Sequence, residues 1–222
     1  MTRVPDVESL PPGIVNLADH EAQARTRLDA PAWAYFNGGA ADELTLRANR
    51  AAWDRLELWP RVLRPLAGGH TRVELLGRTL AHPILLAPLA FHRLAHADGE
   101  LASAHAAAAL GAGLVLSTQS SVPMEDVTRA MQSEPGRGPL WFQLYMQHDR
   151  GHTLELVQRA EHAGYEALVL TLDAPSSGAR DRERRADFRL PPQVRAVHLD
   201  TLLPLAPRPL QAGQSALFDV LL

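Results

Sequence analysis

In ALVLTLDAPSSGARDRERRADFRLPP, residues 167–192, an apolar run delivers Thr171 and Asp173, then a proline, a glycine and five arginines. A hydroxyl, a carboxylate and guanidinium groups at the end of one buried strand can hold a polar ligand. Two of the three other apolar runs end in a similar way. Gly113 to Ser117 leads into Ser117-Thr118-Gln119, and Leu140 to Tyr145 carries Gln143 and Tyr145. Only Pro83 to Pro88, which runs into Pro88-Leu89-Ala90, ends without polar side chains. Asp173 is placed to be catalytic, but the commoner use of a strand-end Asp is to accept backbone N–H groups and anchor a loop. Asp181, Glu183 and Asp187 offset the arginines of RDRERRADFR, so that stretch reads as a solvated loop rather than a basic patch. Trp141 and Phe142 are expected in the core, and composition alone would put Tyr35 and Tyr145 there too.

Metal chemistry has weaker support. His92 and His96, and again His148 and His152, are four apart and could share a helix face. Neither pair sits in a zinc motif, and His20-Glu21 lacks the second histidine of H-E-x-x-H. Solvated or capping histidines are expected, and no metal site.

The totals narrow the class further. Of 222 residues, 46% are hydrophobic and 21% charged, as in an ordinary globular protein with a sizeable core. A net charge of -3 gives no electrostatic case for nucleic acid or an anionic membrane surface. The absence of Cys removes disulfides, thiolate metal sites and a Cys nucleophile. The N-terminus MTRVPDVESLPPG has no apolar signal-peptide core, and no run approaches the ~20 apolar residues of a membrane span. A cytoplasmic location is the expectation.

Strands beginning near Ile84, Leu114, Trp141 and Ala167 recur at the ~30-residue spacing of a strand–helix unit. Their apolar runs barely alternate, which suits strands buried on both faces of a parallel sheet. The intervening segments are helical. DGELASAHAAAALGAG offers Asp98 as cap and Gly111 as stop; SSVPMEDVTRAM opens with Ser and Pro. DRGHTLELVQRAEHAGYE offers Asp149 as cap, a stripe of Leu154, Val157 and Ala160, and Gly164 as stop. Strict β–α alternation leaves a barrel or a doubly wound sheet. The first strand leads into PLAFHRLAHADGE rather than a G-x-G-x-x-G turn, which favours the barrel. Barrel enzymes gather their site at the C-terminal strand ends, so the polar groups above would ring one mouth. Residues 1–82 form a different segment, with helices broken at Gly38-Gly39 and a hairpin turning at Gly77; residues 83–190 carry the strand–helix units, and 191–222 form a loop-like tail.

The stretches YFNGGAADELTLRANRAAWDRLELWPRVLR, PILLAPLAFHRLAHADGELA, WFQLYMQHDR and LTLDAPSSGARDRERRADFRLPP together resemble the FMN-dependent α-hydroxy-acid oxidase and dehydrogenase family. The similarity runs in order from about Pro31 to Pro192. It implies an α/β fold, a (β/α)8 TIM barrel, with FMN as cofactor. Pro88, Leu89 and Ala90 match the loop whose backbone lies against the flavin. Ser117, Gln143 and Thr171 match side chains on the isoalloxazine edge. Tyr35, Tyr145 and Arg180 match residues that contact the substrate, a small L-2-hydroxy acid of the lactate or glycolate class. Oxygen or another acceptor would reoxidise the flavin.

The departures are specific. Ala174 stands where the family has Thr, and Gln119 where it commonly has Trp. A complete barrel takes about 250 residues, and the residues after Pro83 supply only four strands. The resemblance therefore implies about the first four β/α units. The family's flavin-facing lysine, histidine base, second substrate arginine and phosphate site fall outside them. Two readings follow: a hydroxy-acid oxidoreductase that needs a complementing half, and a non-catalytic partial barrel. A flavin-barrel isomerase fits RLPP and the Tyr35 segment less well. Open edges at the first and fourth strands, and the apolar SALFDVLL, predict self-association.

Overall fold

Helix α1 (Leu17–Arg27) opens on a reciprocal cap, in which Asn16 Oδ1 accepts from the Asp19 N–H and the Asp19 carboxylate accepts from the Asn16 N–H. Helix α2 (Ala30–Asn37) is capped by Asp29, with Pro31 in its first turn. It stops at Gly38, where a Cβ would sit 2.4 Å from the Ala34 carbonyl oxygen. Helix α3 is Leu44–Asp54. These coordinates come from a computed structural model that describes residues 12–173 and 178–201. Ala174 and the SALFDVLL stretch lie outside the described residues.

The hairpin forms as expected, from β1 (Val73–Leu75) and β2 (Arg78–Leu80), paired antiparallel. Leu76 and Gly77 both take positive φ, 49° and 76°, as a two-residue type I′ turn requires. Arg78 and Arg137 both pair with Glu166, which ties the hairpin to the start of the last strand. Burial pushes the Glu166 carboxyl up, but the two arginines outweigh it and hold it low.

Strands β3 (Leu85–Leu86), β4 (Gly113–Leu116), β5 (Leu140–Leu144) and β6 (Ala167–Leu170) form one parallel sheet in the order β3-β4-β5-β6. A doubly wound sheet reverses its strand order; this one never does, so it is an arc of a TIM barrel. The connecting helices are α4 (Glu100–Ala109), α5 (Met124–Gln132) and α6 (Arg150–Ala163), with the short α7 (Asp181–Arg185) after β6. The register aligns Leu86 with Leu114, Leu116 with Phe142, and Leu144 with Leu170, so all of these face outward toward the helix layer. Leu114, Leu116, Leu140, Phe142 and Leu144 are buried there with Ala104, Val127, Met131 and Leu156.

Several local expectations change. β4 and β5 bury their residues on both faces almost throughout, but the outward leucines of β6, Leu86 of β3 and Ile84 just before it are exposed, because no described helix covers them. Trp141 points to the opposite face from the fully buried Phe142 and is only half-buried. On α6, Leu156 and Ala160 make the buried stripe with Val157 beside them, while Leu154 is exposed. Asp149 and Gly164 do cap that helix, the glycine at φ 88°. Asp98 caps nothing with its side chain, since α4 starts from Gly99 at φ 55°.

Candidate functional site

The C-terminal ends of β4, β5 and β6 bring Ser117, Gln143 and Thr171 into one hydrogen-bonded row. Ser117 Oγ donates to Gln143 Oε1 at 3.3 Å, and Gln143 Nε2 donates to Thr171 Oγ1 at 2.9 Å. Gln143 is buried and Thr171 half-buried. Thr118, next in the chain, fixes the amide from behind. Its N–H donates to Gln143 Oε1, its Oγ1 donates to the Gln143 carbonyl at 2.6 Å, and that hydroxyl accepts from the Tyr145 N–H. The row is neutral and can both donate and accept, which suits the edge of a polar heterocycle.

Pro88, Leu89 and Ala90 follow β3 on the same side of the sheet. Pro88 and Leu89 are exposed, and the chain turns at Phe91, which takes φ 57° and donates its N–H to the Gln119 carbonyl at 3.2 Å. The His92 ring pairs through Nδ1 with Ser103 Oγ at 3.0 Å; burial lowers its pKa, against Glu100 and the Leu89 carbonyl, which raise it.

Tyr35, Tyr145 and Arg180 gather from three separate elements. Tyr35 on α2 stacks on Phe188 with ring centroids 4.8 Å apart and lies 6.1 Å from Phe91. Arg180 donates from a terminal nitrogen to the Tyr35 carbonyl at 2.9 Å and from Nε to Glu183. Arg182 bridges the same elements by bonding the Asn37 carbonyl and Glu43. The Tyr35 phenol is pushed up to about 12 by burial and by Glu183, with Arg180 opposing and Tyr145 adding to the rise. Burial and then Asp173 raise Tyr145. Both phenols are thus neutral O–H donors at ordinary pH, beside a guanidinium: a mouth suited to a small carboxylate.

Two buried polar residues behind this mouth, Glu100 and His198, escaped the sequence reading. Glu100 accepts from the Ser121 N–H and hydroxyl and from the His92 N–H. His198 accepts from the Met124 N–H at Nε2 and faces the Thr118 carbonyl with Nδ1, so its neutral ring carries the proton on Nδ1. His152 touches the His198 carbonyl. Of the paired histidines, His96 and His148 are exposed, and among the described residues no group of His, Asp and Glu could hold a metal ion. No described helix is long and apolar enough to cross a membrane.

A parallel strand–helix arc with a neutral polar row at its strand ends, flanked by phenols and an arginine, places the chain among the β/α barrels. Residues 24–216 match the FMN-dependent dehydrogenase family, and the chain belongs to it. It is 52% identical to an L-lactate oxidase of Roseobacter sp. (strain GAI101), over 92% of this chain and 54% of that protein. It is 42% identical to a 4-hydroxymandelate oxidase of Amycolatopsis orientalis, over 84% of this chain and 50% of that one. A solved mandelate oxidase variant with (S)-mandelic acid superposes with a TM-score of 0.79 at 40% identity, over 86% of this chain and 56% of its own. The chain spans about half the length of the relatives it matches.

Proposed function

We propose that this chain carries the ring-binding and substrate-mouth half of an FMN-dependent enzyme that oxidises a small L-2-hydroxy acid to the 2-oxo acid. The single observation that carries the reading is the row Ser117–Gln143–Thr171 at the strand ends, with Tyr35, Tyr145 and Arg180 beside it. In this reading Ser117, Gln143 and Thr171 bond the flavin edge, and the backbone of Pro88, Leu89 and Ala90 lies along the ring. Their chemistry fits that group, being neutral, fixed and of mixed donor and acceptor character. Arg180 and the two phenols take the substrate carboxylate and orient its hydroxyl. FMN, when bound, supplies the acceptor for the hydride equivalent that leaves the hydroxyl-bearing carbon. The hydroxyl proton needs a base, and none of the ten histidines is assigned that role.

L-lactate is the proposed substrate, because relatives of 45% identity and more carry the name L-lactate oxidase, and oxygen is the proposed acceptor for the same reason. A second reading, a partial barrel that binds without turnover, is favoured by the uncovered outer leucines of β6. The visible spectrum of the purified chain with stoichiometric FMN, before and after anaerobic L-lactate, separates the two. Flavin that binds and bleaches supports oxidation by this chain. Flavin that binds and stays yellow supports the partial barrel, and flavin that stays free overturns the flavin-binding reading of this chain.

A further inference from the structure

Glu100 is a carboxylate with only 1% of its surface exposed, and among the described residues no arginine forms a salt bridge with it. A buried charge of this kind is retained only where hydrogen bonds replace its lost water. Here Oε1 accepts from the Ser121 N–H at 2.8 Å and the His92 N–H at 3.2 Å, and Oε2 accepts from Ser121 Oγ at 2.7 Å. Ser121 closes the turn after β4, whose first residue is Ser117. His92 closes the turn after β3, which holds Pro88, Leu89 and Ala90. One carboxylate therefore ties the two strand-end turns to the first turn of α4.

The neighbouring contacts run through the same three points. Ser121 Oγ, while donating to Glu100, accepts from the Arg93 N–H at 3.2 Å. Phe91 donates across to Gln119. Gly99 is compressed against the same knot: a Cβ there would meet Arg93 Cγ at 2.8 Å and Ser121 Oγ at 3.3 Å, at φ 55°. The turn after β3 has little else to hold it, since Pro88 and Leu89 are exposed and its strand is two residues long.

We propose that Glu100 is a positioning residue: by holding Ser121 and His92 together it fixes the spacing between the Pro88–Ala90 backbone and the Ser117 end of the polar row. That spacing decides whether a flat ring can lie between them, so the inference rests on the flavin reading of those residues. Glu100 itself touches neither ring nor substrate.

The test compares the full chain with Glu100→Gln and with the milder Ser121→Ala, using amide hydrogen exchange and FMN titration by fluorescence quenching. Gln can keep the Ser121 and His92 N–H groups on its one oxygen, but its NH2 then stands where Oε2 accepts from Ser121 Oγ, so that hydroxyl, which already accepts from the Arg93 N–H, loses its acceptor. Exchange of peptides spanning 88–94 and 117–124 is expected to quicken about tenfold or more, with the 140–145 peptide unchanged, and FMN affinity to fall about tenfold. Ser121→Ala should give the same pattern at smaller amplitude, and it decides the matter if Glu100→Gln fails to fold. Exchange that is unchanged, or that rises equally in all three peptides, overturns the proposal. So does local loosening that leaves FMN affinity as it was. If the parent chain binds no FMN, the flavin reading fails for this chain, and the exchange pattern alone decides whether Glu100 is the clamp.

Discussion

The two middle strands and the two edge strands of the arc carry the same kind of sequence and meet opposite fates. Leu114, Leu116, Phe142 and Leu144 on β4 and β5 are at most 5% exposed under α4, α5 and α6. On the same outward face, Ile84 and Leu86 are 57% and 38% exposed, and Leu168, Leu170 and Leu172 are 45%, 48% and 75% exposed. A barrel strand is buried only when a helix arrives on each flank, and the described residues supply flanking helices on both sides only to the middle pair. Apolar residues at 56–66 fare likewise, with Leu58, Trp59 and Leu63 almost fully exposed. Stability is therefore concentrated between α4 and α6, which is also where Gln143 and Thr118 hold the polar row.

That contrast should break most visibly at Phe142. Phe142→Ala is expected to cost about 3–5 kcal/mol in urea unfolding, since it removes a fully buried ring in contact with Tyr165 and His198. Leu170→Ala should cost under about 1 kcal/mol. Comparable losses at the two sites would mean that β6 is covered in solution.

A second effect belongs to the same region and depends on pH. Burial pulls His198 down to about 4, against the Thr118 carbonyl and the nearby Glu125 and Glu100, while Arg159 pushes it the same way as burial. In the unfolded chain it titrates near 6.5. The folded form thus resists protonation, so stability is intact above pH 6.5 and falls as pH drops from 6.5 to about 4. The loss should approach about 3 kcal/mol, because a protonated ring can no longer accept from the Met124 N–H. Unfolding measured across that window should show the slope, and His198→Gln should flatten it.

How legible was this in the sequence? The arc was, because strand–helix spacing, the Asp149 and Gly164 caps and the Gly77 turn are local signals. Uncovered edges were not, for a run such as ALVL looks buried wherever it sits, and exposure depends on what lies beside it. The mouth residues entered through the family resemblance, since Tyr35 and Arg180 are 145 positions apart and nothing local links them. Glu100 and His198 were missed for a similar reason. Their partners lie 21 and 74 residues away, and each could pass for a surface residue.

The smallest effect on folding should carry the clearest information on assembly. Leu168→Lys with Leu170→Lys places two charges on the outward face of β6, where the leucines are about half exposed. Unfolding should shift by no more than about 1 kcal/mol, as for other exposed positions. Sedimentation should change far more. Among the described residues nothing pairs with the free edges of β3 and β6, and an uncovered parallel edge flanked by leucine recruits another chain. The parent chain is therefore expected to sediment above the 24.2 kDa of one copy, and the double variant to return to it. A parent that already sediments as a single copy would mean that β6 is shielded, and Phe142 and Leu170 should then differ less than proposed above.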